Sequence, residues 1–146
     1  PILYEAHIFY DLTDGRFLNS NLSSRRWNRQ LYSGGVKEYE RLFSATKLDY
    51  SAAYKSCSWG LGQVMGMNSS TLGYRTVTLF VKEAHQSSRN QVNHVIKFLD
   101  TNNILKFVAN EDWATVAYRY NGSGYKQNNY DVKLAEAVAK ARKKDG

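Results

Sequence analysis

The sequence lacks most of the devices that brace small secreted folds. It holds one cysteine, Cys57, and one proline, Pro1, in 146 residues. A lone cysteine excludes any intrachain disulfide, which fits folding in a reducing compartment. Even unstapled, a chain of this length suffices for one domain with a real hydrophobic core. There is no Gly/Ser-rich or Pro-rich linker and no internal repeat. No apolar run approaches the length of a membrane span, and no stretch resembles a signal peptide. RNA-recognition and zinc-finger patterns are missing, so nucleic acid is not an expected partner. HExxH is absent too, and Cys57 has no partner at metal-ligand spacing. Glu5 and His7 with His85 or His94 are the nearest thing to a zinc set, but the histidines read as core or surface residues. No metal and no other cofactor is expected.

What is present is positive charge. Against 13 Asp+Glu stand 20 Lys+Arg, a formal charge of +7. Such a chain is drawn to polyanions, among them nucleic acid, acidic lipid and the bacterial cell wall. Arg25, Arg26 and Arg29 form one cluster and Lys140–Lys144 another, and the second reads as a solvated surface.

The apolar pattern describes a mainly α protein with a small β element at its N-terminus. The first ten residues are apolar and β-prone, and a polar loop over Asp11–Gly35 follows. From Val36 onward helical spacing dominates. Val77, Phe80, Val81 and Ala84 share one face, as do Val92, Val95, Ile96 and Leu99. Trp113, Val116, Ala117 and Tyr120 repeat that spacing in a core helix, with Asp112 placed to cap its start. A last helix from about Asp131 turns Leu134, Val138 and Ala141 inward and ends in lysines that suit its dipole. Cys57 reads as a small buried hydrophobe.

Two segments stand out. Residues 58–66 read SWGLGQVMG, a tight turn entering a short helix. Residues 119–125 read RYNGSGY, where Gly122 and Gly124 stop a helix. Each joins small residues, which let a backbone approach a ligand, to side chains that stack and hydrogen-bond: Trp59, Gln63, Tyr120, Asn121 and Tyr125. A polymer of sugars presents apolar ring faces and hydroxyl edges, and needs that mixture. The bland alternatives are packing for Tyr120, an exposed loop residue for Tyr125, and a buried tie for Ser58 and Gln63.

Glu5, in ILYEAHIF, is the best in-chain catalytic carboxylate. Apolar neighbours disfavour its charged form and would raise its pKa, as a glycosidase acid requires. It reads equally as a supporting or water-positioning carboxylate, or as a structural one. Asp11 and Asp14 on the following loop read as surface residues.

The order Ser58-x-Gly60-x-x-Gln63-x-Met65-Gly66, then Tyr120-Asn121 and Gly124, resembles the lysozyme-like superfamily. The likeness is closer to the N-acetylmuramidase catalytic domain of phage endolysins. It runs through Pro1–Phe9, Cys57–Asn68 and Asp112–Ala135, including Asn128-Asn129-Tyr130-Asp131. The resemblance implies a lysozyme-like helical domain spanning residues 1–146 that hydrolyses the bond between N-acetylmuramic acid and N-acetylglucosamine. Its partner would be peptidoglycan glycan strands. Ser58, Gln63, Tyr120, Asn121 and Tyr125 would contact the glycan in a groove that Glu5 also lines. It further implies a monomer made in the host cytoplasm without a signal peptide and acting on the cell wall. In that family the domain starts earlier, with a helix ending in a Val-Glu-Ser-like segment, so the domain reads as truncated before Pro1. The acid is then either Glu5 or an upstream glutamate. A lytic transglycosylase and a non-catalytic wall-binding relative are the rival readings.

Overall fold

Ile2 and Tyr4 alternate with Leu3, and that period of two makes a strand, β1 (Ile2–Tyr4), which buries both residues. At Glu5 the period changes. Ala6 and Phe9, three apart, are the buried residues of helix α1 (Ala6–Leu12). The extended element is therefore three residues long, not the ten expected, because Phe9 must reach Tyr4 and Phe17. Its ring lies 5.9 and 5.8 Å from theirs. The computed structural model describes residues 1–18 and 21–145. Asn19 and Ser20, inside the expected polar loop, and Gly146 lie outside the described residues.

The glycine-rich segment is a hairpin. Strands β2 (Cys57–Trp59) and β3 (Val64–Met65) pair antiparallel, and β1 adds to β2 in the order β1-β2-β3. Ile2 faces Trp59, Leu3 faces Ser58 and Tyr4 faces Cys57; Ser58 in turn faces Met65. The expected tight turn is present, but strands flank it, and a 3₁₀ turn (Gly66–Asn68) follows. Two left-handed residues make the reversal, Gly60 at φ +74° and Gln63 at φ +52°. Gly66 is needed for closeness: a Cβ there would lie 2.2 Å from the Tyr54 carbonyl oxygen. That same carbonyl accepts the Trp59 indole N–H at 3.1 Å.

Helices enclose this sheet in the first compact unit, Pro1–Phe98. They are α2 (Lys37–Thr46), α3 (Tyr50–Lys55), α4 (Val77–Gln86) and α5, which runs from Ser88 to Thr101. Asp49 caps α3 by accepting from the Ala52 N–H at 2.9 Å, and Thr76 caps α4 through the Leu79 N–H at 3.2 Å. Val77, Phe80, Val81 and Ala84 are buried together, as their spacing predicts. Cys57 is fully buried, and its burial pushes the thiol up, so it stays protonated as a small core hydrophobe. On α5 the expected face is half right, with Val95 and Leu99 partly buried. Val92 and Ile96 are about half exposed, at 46% and 49%, while His94 is buried. His94 stacks on Phe80 at 4.3 Å and meets Tyr74 edge-on at 5.4 Å, so an imidazole fills the place a hydrophobe was expected to fill. Partly buried Val95 and Phe98 then flank it on the core.

The second unit, Leu99–Gly146, is helical throughout its described residues apart from its turns. It holds the end of α5, α6 (Leu105–Ala109), α7 (Trp113–Asn121) and α8 (Tyr130–Asp145). Asp112 caps α7 through the Thr115 N–H at 3.1 Å, as expected. Val116 and Ala117 are buried, but Trp113, the first helical residue, is only partly so. On α8, Leu134 and Val138 are half-buried and Ala141 is exposed, so the inward face is shorter than its spacing suggests. Arg142 of α8 instead donates to Glu111 Oε1 at 2.8 Å. No helix among the described residues is long and apolar enough to cross a membrane.

A buried ion pair anchors the first unit. Glu38 and Arg41, on successive turns of α2, are 1% and 4% exposed, with Nη1 2.8 Å from Oε2. The Glu38 carboxylate accepts from the backbone N–H of Tyr4 at 3.2 Å, of Ser33 at 2.7 Å and of Gly34 at 2.9 Å. Arg41 donates to the carbonyls of Tyr4 at 3.0 Å and Asn21 at 3.2 Å. Burial alone would push the Glu38 carboxyl up. The N–H groups of Gly34, Tyr4 and Ser33, together with Arg41, outweigh it and hold the group below its ordinary value of 4.5.

Removing one partner strands the other charge, so Glu38→Ala should cost about 3–5 kcal/mol by chemical denaturation. Because the folded carboxyl is depressed, its stabilisation is complete above the unfolded value of 4.5 and drains away as pH falls through the lower folded value. Glu38→Gln should flatten that acid limb in a stability-versus-pH series; an unchanged limb would assign it to other carboxylates. Gly66→Ala should cost at least about 1–3 kcal/mol, since a backbone carbonyl, not a flexible tip, must move. An unaltered melting temperature for Gly66→Ala would contradict the close packing at Tyr54.

Candidate active site

Glu5 is the hinge between β1 and α1. Its backbone is extended (φ −103°, ψ 98°) and its N–H donates to the Ser56 carbonyl at 2.9 Å, continuing the ladder one residue past Tyr4. By the alternation of the strand, Glu5 therefore shares a face with Leu3, whose cross-strand neighbours are Ser58 and then Met65. The opposite face, with Ile2, Tyr4, Cys57, Trp59 and Val64, is the core. Trp59 consequently lies on the wrong side to meet a sugar. It is 3% exposed and stacks on Tyr54 at 5.5 Å, a correction to its expected role as a stacking platform.

The Glu5 side chain does not cap α1; other groups hold it. Tyr32 donates its hydroxyl hydrogen to Glu5 Oε2 at 2.5 Å, and the Trp27 indole N–H donates to the Tyr32 oxygen at 2.7 Å. His7 Nδ1 lies 3.4 Å from the same Oε2. Burial, then the hydrogen bond to Glu5, pushes the Tyr32 hydroxyl up, so it remains a donor throughout the physiological range. A short 3₁₀ helix (Arg29–Leu31), capped by Asn28 through the Gln30 N–H at 2.9 Å, delivers Tyr32 to this position. Arg41 lies against both the Tyr4 and Tyr32 rings, 4.9 and 5.8 Å from their centroids. No sequence pattern marks this cluster, because Tyr32 lies 27 residues from Glu5 in an unpatterned loop. A tyrosine beside Ser33-Gly34-Gly35 was the only local signal.

Ser58 and Gln63 meet each other. The Ser58 hydroxyl donates to Gln63 Oε1 at 2.8 Å, and Gln63 Nε2 donates to the Gly60 carbonyl at 2.8 Å. The Gln63 side chain thus closes its own turn and ties it back to Ser58 of β2. From outside the turn, Gln91 of α5 accepts the Leu61 N–H at 2.9 Å and donates to the Ala84 carbonyl at 2.8 Å.

In the second unit, α7 ends at Asn121 because Gly122 turns left-handed at φ +81°. Its N–H donates to the Tyr118 carbonyl at 2.8 Å, and a 3₁₀ stretch (Ser123–Asn128) carries the chain onward. Tyr120 is half-buried, and burial pushes its hydroxyl up to about 12, so it acts as a neutral donor and acceptor. Asn121 is exposed. Tyr125 packs edge-on against Tyr118 at 6.3 Å, with Lys126 Nζ 6.0 Å from its ring centroid.

No curated protein matches the chain. Among solved structures, the crystal structure of the Burkholderia AP3 phage endolysin is similar, with a TM-score of 0.89 and 32% sequence identity. The likeness covers 99% of this chain but only 56% of that endolysin, so the chain spans little more than half its length. The family model for N-acetylmuramidase matches residues 1–142. With that match over nearly every residue, the chain belongs to the N-acetylmuramidase family, glycoside hydrolases of the lysozyme type.

Proposed function

We propose that the chain is the catalytic domain of a peptidoglycan hydrolase, an endolysin cleaving between N-acetylmuramic acid and N-acetylglucosamine by general acid catalysis. The observation that carries the reading is Glu5: a carboxylate on the sheet face away from the core, held by Tyr32 and with His7 Nδ1 at 3.4 Å. Because Oε2 accepts from Tyr32, a Glu5 acting as acid carries its proton on Oε1 and passes it to the leaving glycosidic oxygen. Water then adds at the anomeric carbon, and the bond electrons stay with the protonated oxygen. Tyr32 fixes the carboxyl plane, so no alignment is lost at the moment of transfer.

Ser58 and Gln63 on the hairpin, and Tyr120, Asn121 and Tyr125 at the end of α7, contact the glycan in this reading. The exposed Asn121 amide suits an N-acetyl group, and the Tyr125 ring suits a pyranose face. The positive charge holds the protein on the anionic wall in a salt-sensitive way. The chain acts as one catalytic domain and as a monomer, made in the host cytoplasm and acting on the cell wall, without a cofactor.

The clamp of Tyr32 and His7 on one carboxylate oxygen also favours a second role. Glu5 would then position the attacking water, and another group would supply the proton.

If Glu5 is the acid, Glu5→Gln keeps the shape and removes the transferable proton, so peptidoglycan solubilisation should fall at least about a hundredfold. Folding should survive, checked by melting temperature. In the water-positioning role the loss is smaller and the basic limb of the pH profile stays in place, since that limb reports the acid. Near-wild-type activity in a folded Glu5→Gln variant would remove Glu5 from the mechanism. The masses of the released muropeptides separate hydrolysis, which adds water, from transglycosylation, which does not.

A further inference from the structure

Trp59 faces the core, so the stacking surface expected of the hairpin is missing there. Trp27 has the opposite placement. It is 59% exposed, and its one described ring neighbour, Tyr32, is tilted by 57° at 6.2 Å, so no described ring lies flat on the indole. A lone exposed aromatic is ordinary on a protein surface. An exposed indole held in place beside Glu5 is not. Its N–H donates to the Tyr32 oxygen at 2.7 Å and Tyr32 donates to Glu5 Oε2 at 2.5 Å, so two hydrogen bonds separate ring and carboxylate.

The segment carrying Trp27 is sewn to the residues on either side of Glu5. Tyr4 donates its hydroxyl hydrogen to the Leu22 carbonyl at 2.8 Å, and the Ser24 N–H donates to the Ala6 carbonyl at 3.2 Å. Next to the ring itself, the Ser24 hydroxyl donates to the Arg26 carbonyl at 2.7 Å, and Asn28 caps the 3₁₀ helix. The freedom of this side chain is therefore given up on folding and is not lost again when a ligand arrives. Charge narrows what that ligand is. Arg25, Arg26 and Arg29 are all exposed, and none forms an ion pair among the described residues. They complement an anionic partner. A strand containing N-acetylmuramic acid is one, because each such sugar carries a lactyl carboxylate.

We propose that Trp27 is the stacking platform for one sugar ring of an anionic glycan strand, next to the carboxylate of Glu5. The proposal rests on the reading of peptidoglycan as the substrate. Tyr32 occupies the polar edge of the indole, which leaves its apolar faces for the C–H side of a pyranose ring. A sugar seated there is positioned relative to Glu5 through a fixed chain of two hydrogen bonds.

NMR titration of the intact chain tests the contact. The probe is the disaccharide N-acetylglucosaminyl-N-acetylmuramic acid, which holds no bond of the cleaved type. The Trp27 indole N–H resonance, identified by its loss in Trp27→Phe, should shift saturably while that of Trp59 stays put. On peptide-free glycan strands, Trp27→Ala should raise KM at least about tenfold with a smaller change in kcat and an unaltered melting temperature. Trp27→Phe keeps a ring and drops the N–H, so its KM should stay near that of the parent chain. If the chain binds strands without cleaving them, Kd from co-sedimentation takes the place of KM, and the platform is judged apart from hydrolysis. An unchanged KM or Kd in folded Trp27→Ala overturns the platform and leaves the role of Glu5 standing. Equal losses of kcat in both variants at constant KM would mean that the indole acts only through Tyr32, and would overturn it too. So would chitobiose, which lacks the carboxylate, binding as tightly as the disaccharide. A Trp27 resonance that moves with phosphatidylglycerol vesicles and not with the disaccharide would assign the ring to a membrane surface instead.

Discussion

The Glu38–Arg41 pair is the interaction on which the geometry around Glu5 depends. β1 is the edge of a three-stranded sheet, and an edge strand carries backbone groups with no strand to meet them. At Tyr4 those groups meet side chains: Glu38 takes the N–H and Arg41 gives to the carbonyl. A helix thus stands in for a fourth strand at one residue. The same carboxylate gathers the N–H groups of Ser33 and Gly34. Tyr4 precedes Glu5 and Ser33 follows Tyr32, so one buried pair fixes both ends of the Tyr32–Glu5 hydrogen bond. Charges inside a core are expensive, and five further hydrogen bonds offset that cost, leaving the Arg41 Nε–H the one buried donor of the pair without a partner among the described residues.

The arrangement divides labour across the sheet. One face is sealed with Tyr4, Cys57 and Trp59 and supplies cohesion. The other carries Leu3, Glu5, Ser58 and Met65. The glycines of the hairpin serve this division: Gly66 lets Trp59 seat against Tyr54, and Gly60 lets the turn close beneath Gln91. Gln63 holds its left-handed backbone with its own side chain, so a residue singled out for binding sugar is also a structural tie.

How much of this could be read in the sequence varies with the range of the interaction. The α4 face was legible because four apolar residues at helical spacing admit one arrangement. The α5 face was only half so, since an imidazole that stacks like an aromatic ring is invisible to a count of hydrophobes. ILYEAHIFY reads as a strand by composition, yet only its first part alternates; Ala6 and Phe9 already keep the helical interval. The hairpin reads only as a turn into a short helix, because two left-handed residues set its reversal and one of them is a glutamine. Glu5 was identifiable as a carboxylate among apolar residues, while the groups that hold it were not. Tyr32, Trp27 and Arg41 come to Glu5 only through the folded loop, and no local pattern marks them. The Glu38–Arg41 pair was missed for the same reason, since charges three apart on a helix ordinarily face water.

The Trp27–Tyr32–Glu5 chain also gives the molecule an optical handle. Of its three tryptophans, Trp59 is buried, Trp113 partly so, and Trp27 is 59% exposed. The indole that an aqueous quencher reaches most easily is therefore the one hydrogen-bonded, through a single tyrosine, to the carboxylate of interest. The quenchable fraction of its fluorescence reports on that carboxylate's surroundings without any label.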